Sequence, residues 1–184
     1  MPNAPRLTRA GSSLLVIDVQ ERLLPAIADR EEVLANIGRL VRGAQTLGVP
    51  VQVTEQYRKG LGASVPEIAD AVEGFAPVEK LAFSACGAPG VRDALRRGGR
   101  GGVLVCGIET HVCVTQTCLD LREEGMEVFV AADAVSSRTR RNHDVGIERM
   151  RAAGAVIVST EMALFELLGE AGTDEFKRIL PLVK

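Results

Sequence analysis

The chain has 184 residues, of which 46% are hydrophobic and 25% charged, and this composition is typical of one folded domain with a buried core. Its 22 lysines and arginines stand against 24 acidic residues, so the net charge of -2 removes the basic surface expected of a nucleic-acid-binding protein. Apolar runs such as Leu14–Ile17 are far too short for a membrane span or a signal-peptide core. We therefore expect a cytoplasmic protein that acts on a small molecule, with neither a nucleic acid nor a membrane as partner.

Short apolar stretches alternate with helical patterns through the first half of the chain. Apolar residues after Asp29 recur mostly at helical spacing, and Gly48 and Pro50 end that helix. The predicted elements of this half are a strand over Ser13–Val19, a helix with Asp29 as its N-cap, a strand over Val49–Thr54, a polar loop over Thr54–Val65, a short helix after Pro66 and a strand over Pro77–Leu81.

The same alternation continues through the second half. Its predicted elements are a helix over Gly90–Arg97, a turn over Gly98–Gly102, strands over Val103–Cys106, Met126–Ala131 and Ala155–Val158, and helices over Thr110–Glu124, Thr139–Ala152, Ala163–Leu168 and Asp174–Leu180. Strands that are apolar on both faces are typical of a buried parallel sheet. The sequence therefore predicts a single α/β domain with helices on both faces of that sheet.

Neither the glycines nor the cysteines indicate a cofactor. The glycine-rich segment Gly98–Gly102 precedes its strand, whereas a dinucleotide-binding loop follows a strand and opens a helix. The four cysteines contain no CxxC pair, and only two histidines could join them as zinc ligands. We expect no metal and no cofactor.

Polar residues follow three of the predicted strands, at the sheet edge where α/β proteins place their functional groups. Asp18 ends the first apolar run, Lys80 lies in the third strand, and Cys113 falls in the first turn of a helix beginning near Thr110. The helix dipole and a neighbouring lysine both favour a thiolate, and an aspartate can accept the thiol proton. These residue types in this arrangement predict nucleophilic catalysis by a cysteine.

Each of the three residues also has an ordinary interpretation. Asp18 could belong to a structural ion pair or cap the segment near Glu21, since burying an unpaired carboxylate is costly. Lys80 taken alone fits a solvated surface lysine, and Cys113 taken alone fits a small buried hydrophobe. The combination of the three residues favours a catalytic site over these separate structural roles.

Three segments of the sequence resemble the isochorismatase-like cysteine hydrolase superfamily, which includes nicotinamidases and N-carbamoylsarcosine amidase. They are Leu15–Gln20, Glu79–Ser84 and Gly107–Thr117, and the likeness extends from about residue 13 to residue 164. The phrase Thr54–Gly62, with Val65–Ile68, is most similar to the isochorismatase domain-containing subgroup. The resemblance implies one domain over residues 1–184 with a three-layer α/β/α architecture, Rossmann-like topology and a six-stranded parallel sheet, in a protein that forms homo-oligomers.

The resemblance also assigns roles within the site. It implies a catalytic triad of Asp18, Lys80 and Cys113, a cis peptide between Ile108 and Glu109, and an oxyanion hole formed by the backbone N–H groups of Glu109 and Cys113. The expected reaction is hydrolysis of an amide, carbamoyl or related C–N bond through a thioester. The side chains expected to border the substrate pocket are Gln20, Leu23, Glu55, Gln56, Tyr57 and Phe83.

Departures from the family pattern leave other functions open. Nicotinamidases bind a divalent metal through histidines that follow the second strand, but residues 54–71 here contain none. True isochorismatases cleave a vinyl ether without needing a cysteine. Vinyl-ether hydrolysis is therefore the alternative to C–N bond hydrolysis for this protein. A non-catalytic interaction protein that retains the fold, and a redox sensor based on Cys113, are further alternatives. His111 and Cys86 are weaker candidates for the pocket; residues two apart on a helix do not face each other, which disfavours a pairing of His111 with Cys113.

Overall fold

The computed structural model describes residues 4–184, and a six-stranded sheet forms its centre. The strands are β1 (Ser12–Ile17), β2 (Val51–Gln56), β3 (Val78–Lys80), β4 (Gly102–Ile108), β5 (Glu127–Ser136) and β6 (Val156–Val158). Every strand pair is parallel, and the strand order is β3-β2-β1-β4-β5-β6. The order reverses between β1 and β4, which brings the carboxyl ends of β1, β2 and β4 together.

Eight α-helices connect or follow these strands. They are α1 (Arg30–Thr46), α2 (Arg58–Leu61), α3 (Pro66–Ala69), α4 (Val91–Arg96), α5 (Thr115–Glu123), α6 (Arg140–Ala152), α7 (Thr160–Leu168) and α8 (Asp174–Ile179). Short 3₁₀ turns lie at Leu24–Ala26, Ala85–Gly87 and Leu180–Leu182, and a π-helical turn at Thr110–Val114 leads into α5. No helix within residues 4–184 is long and apolar enough to cross a membrane.

Two hydrophobic clusters, one on each face of the sheet, make the molecule three-layered. Alternate residues of β1 enter different clusters: Leu14 packs with α1 and α7, and Leu15 packs with α4, α5 and α6. All six residues of β1 are buried, as expected for a central parallel strand. The predicted single-domain α/β/α fold with six parallel strands is confirmed.

Several predicted boundaries differ from those of the structure, and each difference has a local cause. The second strand runs two residues further than Thr54 because Thr54–Gln56 pairs with β3, and the short helix α2 interrupts the predicted loop. β5 continues past Ala131 to Ser136, with an irregularity in its register against β4. Asp29 precedes α1, but its carboxylate pairs with Arg140 instead of capping the helix.

Candidate active site

Asp18 lies at the carboxyl end of β1 in an unusual backbone conformation. Its φ is 53°, and its side chain is fully buried. The carboxylate accepts a hydrogen bond of 2.8 Å from the Thr54 hydroxyl and one of 2.6 Å from Lys80 Nζ. Burial raises the pKa of Asp18, while Lys80 and Thr54 act to lower it. A non-glycine residue with positive φ at the end of a central strand is a common mark of a functional site.

Gly107 lets β4 approach β1 beside Asp18. A Cβ atom at Gly107 would lie 2.2 Å from the carbonyl oxygen of Ile17, and its φ of 117° favours glycine. The close contact therefore requires glycine and brings the end of β4, with the residues that follow it, next to Asp18.

Lys80 is the last residue of β3, which is separated from β1 by β2, and its ammonium group is buried. Nζ donates to Asp18 Oδ2 at 2.6 Å, to Gln56 Oε1 at 2.7 Å and to the carbonyl oxygen of Phe83 at 2.8 Å, with the carbonyl of Ala82 further away at 3.3 Å. Three N–H donors thus meet three close acceptors. Only one of those acceptors, the Asp18 carboxylate, is charged. Lys80 and Asp18 therefore form a buried ion pair that carries no net charge.

Cys113 lies in the π-helical turn that follows β4. The Val114 N–H bonds to the Glu109 carbonyl at 3.2 Å, five residues back, which widens this turn. Cys113 is 6% exposed, and Asp18 and Lys80 both act on the pKa of its thiol. Burial and the Asp18 carboxylate raise the pKa of Cys113 to about 12, against a lowering effect of Lys80. This direction is opposite to the lowered pKa expected from the helix dipole and Lys80, and it favours the protonated form of the thiol.

The peptide bond between Ile108 and Glu109 is cis in the structure. The Glu109 carboxylate accepts 3.0 Å hydrogen bonds from both the backbone N–H and Nε of Arg138. The backbone of Glu109 is thereby fixed at the start of the turn that carries Cys113.

The six residues expected to border a pocket fall into two groups. Gln20, Glu55 and Gln56 are buried and hydrogen-bonded within the protein, so they form a framework behind the site. Tyr57 and Phe83 are 48% and 54% exposed and lie beside the backbone that surrounds Lys80, and Leu23 is half-buried. Leu81, which the sequence did not single out, is 74% exposed between them.

The remaining histidine and cysteine candidates have other contacts. The His111 ring lies between Ser137 Oγ at 2.9 Å and Asn142 Nδ2 at 3.3 Å, and it makes no hydrogen bond with Cys113. Cys86 is buried beside Ser84 and Arg92, and burial raises its pKa. Cys106 and Cys118 are fully enclosed, and burial raises the pKa of both. Of the four thiols, that of Cys113 is the one whose pKa both Asp18 and Lys80 influence.

Thr54 was missed as a site residue, and the hydrogen bond of Gln56 to Lys80 was not foreseen. Thr54 and Gln56 lie on one face of β2, because successive strand residues alternate between faces, and Glu55 lies on the other. Ile17 pairs with Thr54, and Gln56 pairs with Lys80. The signal in the sequence was two polar residues, two apart, at the end of a strand that neighbours Asp18.

Fold and site together define a doubly wound α/β protein in which a buried carboxylate, ammonium group and thiol meet at the carboxyl edge of the sheet. The chain belongs to the isochorismatase family: the model described as "Isochorismatase domain" matches residues 12–162. The resemblance inferred from the sequence is thus confirmed, and the protein is an isochorismatase-family hydrolase.

Known relatives cover almost the whole chain. A protein of Phytophthora sojae named "Secreted isochorismatase effector Isc1" is 44% identical over 97% of this chain and 87% of its own length. Isochorismatase domain-containing protein 2 of Pongo abelii is 38% identical over 100% of this chain and 88% of its own. A structure of "MAR1 Ribonuclease" from Caenorhabditis elegans is 36% identical, with a TM-score of 0.92 over 97% of this chain and 92% of that one.

Proposed function

We propose that this protein is a cysteine hydrolase that cleaves an amide, carbamoyl or related C–N bond of a small molecule through a thioester. The observation that carries the proposal is the buried ion pair of Asp18 and Lys80, joined at 2.6 Å, whose two members both act on the pKa of the Cys113 thiol. A carboxylate whose pKa is raised is a stronger base than an ordinary one, which suits Asp18 to take the thiol proton.

The reaction begins with transfer of the Cys113 proton to Asp18. The thiolate sulfur attacks the carbonyl carbon and forms a C–S bond, and the backbone N–H groups of Glu109 and Cys113 stabilise the oxyanion. The protonated Asp18 then gives its proton to the leaving nitrogen as the C–N bond breaks. Lys80 stabilises the charged forms of its two neighbours throughout.

Water completes the cycle. Asp18, again a carboxylate, takes a proton from a water molecule that attacks the thioester carbonyl. The C–S bond breaks, the carboxylic acid leaves, and the sulfur regains its proton from Asp18. The products are one acid and one amine or ammonia for each water consumed.

The residues after β2 do not fit the metal site of nicotinamidases. Residues 54–71 contain no histidine, the Glu55 carboxylate already accepts a bond from the Ser64 N–H and pairs with Arg58, and Gln56 Oε1 is bonded to Lys80. We therefore route no step of the reaction through a metal.

The test is a panel of small amides and carbamoyl compounds, read as ammonia release by the wild type and Cys113→Ala side by side. Hydrolysis that requires Cys113 is the expected result. Cleavage of isochorismate that persists in Cys113→Ala would favour vinyl-ether hydrolysis instead. RNA belongs in the panel because of the name of the C. elegans relative, and cleavage of RNA alone would contradict the proposal.

We also propose that the protein self-associates and works where thiols stay reduced. Leu81, Phe83 and Tyr57 expose apolar surface beside the site, which favours burial against another copy. The four cysteines are free, and a catalytic thiol needs a reducing compartment such as the cytoplasm. Light scattering should give a multiple of 19.6 kDa, and a monomeric mass would contradict self-association.

A further inference from the structure

The side chain of Gln56 has an unusual set of partners for a glutamine at the end of a strand. Its Oε1 accepts the 2.7 Å hydrogen bond from Lys80 Nζ, and its Nε2 donates to the carbonyl oxygen of Leu81 at 2.8 Å. The second bond fixes the orientation of the amide: rotating it by 180° would point Nε2 at an ammonium group, donor against donor. Gln56 can therefore present only an oxygen to Lys80.

The backbone of Gln56 is held as firmly as its side chain. Gln20 Oε1 accepts from the Gln56 N–H at 2.7 Å, and Gln20 Nε2 donates to the Gln56 carbonyl at 3.0 Å and to the Gly62 carbonyl at 2.7 Å. Gln20 is completely buried and Gln56 is 9% exposed. This pair of glutamines joins the ends of β1 and β2 and sets the place of the amide oxygen.

The acceptor on this side of Lys80 is neutral, and this matters for the charge of the site. With a neutral amide, the ammonium group has one charged partner, Asp18, and the buried pair has no net charge. A carboxylate of the same shape would add a second negative charge in contact with the same nitrogen. Like charges disfavour ionisation, so both Asp18 and Cys113 would hold their protons more tightly.

The charged and titratable groups around this cluster are few. Lys80 and Cys113 act on Asp18, and Asp18 and Lys80 act on Cys113. Glu55 lies on the opposite face of β2, where it is engaged with Ser64 and Arg58. A change of charge at Gln56 should therefore act on the Asp18–Cys113 pair with little competition.

We propose that Gln56 is a positioning residue, whose neutral amide oxygen fixes the Lys80 ammonium beside Asp18 and keeps the buried cluster uncharged for proton transfer from Cys113. This inference rests on the proposed triad. The inference goes beyond the triad because it assigns to Gln56 the control of the pH at which the Cys113 thiol becomes reactive.

The experiment measures the rate of iodoacetamide alkylation of Cys113 between pH 4 and 9, by peptide mass spectrometry, for the wild type, Gln56→Glu and Gln56→Asn. In this range the rate rises as Asp18 ionises and becomes able to take the thiol proton, so the midpoint of the profile reports Asp18 and the plateau reports the site with Asp18 ionised. For Gln56→Glu the midpoint of the profile should move up by about one unit, so that the rate on the rising limb falls about tenfold. Gln56→Asn keeps a neutral amide that is one methylene too short to reach Lys80. It should lower the plateau rate and leave the midpoint where it is.

Gln52→Glu is the matched control, because it adds the same charge to the same strand. Gln52 is half-buried, and its amide contacts only the carbonyl of Val53, at 3.4 Å. Its midpoint should equal that of the wild type. A folded Gln56→Glu with an unchanged midpoint, or an equal shift in Gln52→Glu, would overturn the proposal. If Gln56→Glu does not fold, a wild-type plateau rate in Gln56→Asn would overturn it instead.

Failure of the proposed function would look different. Full turnover by Cys113→Ala would remove the triad as the catalytic group, whatever the alkylation profiles of the Gln56 variants show. A shifted midpoint in Gln56→Glu together with amide turnover that requires Cys113 would support both proposals.

Discussion

At Asp18, burial and ion pairing act on one carboxyl group in opposite directions. Burial disfavours the charged form, whereas the ammonium of Lys80 and the hydroxyl of Thr54 favour it, and the pKa of Asp18 stays above its usual value of 3.8. The pKa of Cys113 is raised to about 12 by the same environment. The raised pKa of Asp18 favours transfer of the proton from sulfur to carboxylate, whereas the raised pKa of Cys113 opposes it.

The pH dependence of turnover should therefore report Asp18. The proposed mechanism needs Asp18 ionised, so turnover should fall as the pH drops through its pKa, at a midpoint above 3.8. Thr54→Val removes a hydrogen bond that lowers this pKa, so the midpoint should move further up. Rate profiles between pH 4 and 8 would check this, and a midpoint that moves down in Thr54→Val would contradict it.

Removing Lys80 should cost stability as well as activity. Lys80→Met leaves the buried Asp18 carboxylate unpaired, which should lower the free energy of unfolding at pH 7 by about 3 kcal/mol. The pKa of Asp18 rises further in this variant, and a raised carboxyl pKa contributes stability at low pH that is lost as the pH rises through it. The loss should thus be smaller at pH 5 than at pH 7 in urea titrations.

Asp18→Asn combined with Lys80→Met supplies the control for that measurement. Without a buried charge, the double variant should be more stable at pH 7 than Lys80→Met alone. Equal losses at both pH values, or no recovery in the double variant, would show that the lost packing of Lys80 and not the unpaired charge is responsible.

Among the elements, β4 and the turn after it have the tightest constraints. Gly107 packs against the backbone of β1, and α6 packs at Gly146 against the π-helical turn that carries Cys113, where a Cβ would lie 3.0 Å from Thr110 and 3.2 Å from His111. The His111 ring adds hydrogen bonds from this turn to Ser137 and Asn142. The place of Cys113 is thus set by backbone contacts from two sides.

Gly107→Ala should test that constraint. The added Cβ would meet backbone atoms of Ile17 at 2.2 and 2.6 Å, and backbone cannot rotate away as a side chain can. We expect unfolding to become easier by about 3 kcal/mol, with loss of activity. Gly101→Ala, only six residues earlier in a position with nothing within 4 Å, should stay within about 0.5 kcal/mol of the wild type. Similar stabilities of the two variants, measured by denaturant titration, would contradict the close-contact argument.

For the whole molecule, the sequence predicted the fold better than the site. Strands such as β1 have apolar residues on both faces, so the parallel sheet followed from composition and alternation alone. Asp18, Lys80 and Cys113 could be named because each follows or ends a strand. The rise in the pKa of Cys113 could not be predicted from the sequence, because it depends on how deeply the thiol is buried and how near Asp18 lies. The hydrogen bonds of Gln20 and Gln56 could not be predicted either, because a sequence does not show which polar side chains face one another.

The most direct test of the central claim is to trap the acyl group on the enzyme. A hydrolysed amide should be mixed with the wild type and quenched with acid within one turnover, and the mass of the peptide that carries Cys113 should be measured. The mechanism predicts that this peptide gains the mass of the acyl group and loses it again under hydroxylamine, as a thioester does. An acyl group on any other residue, or turnover at the wild-type rate by Cys113→Ala, would contradict it.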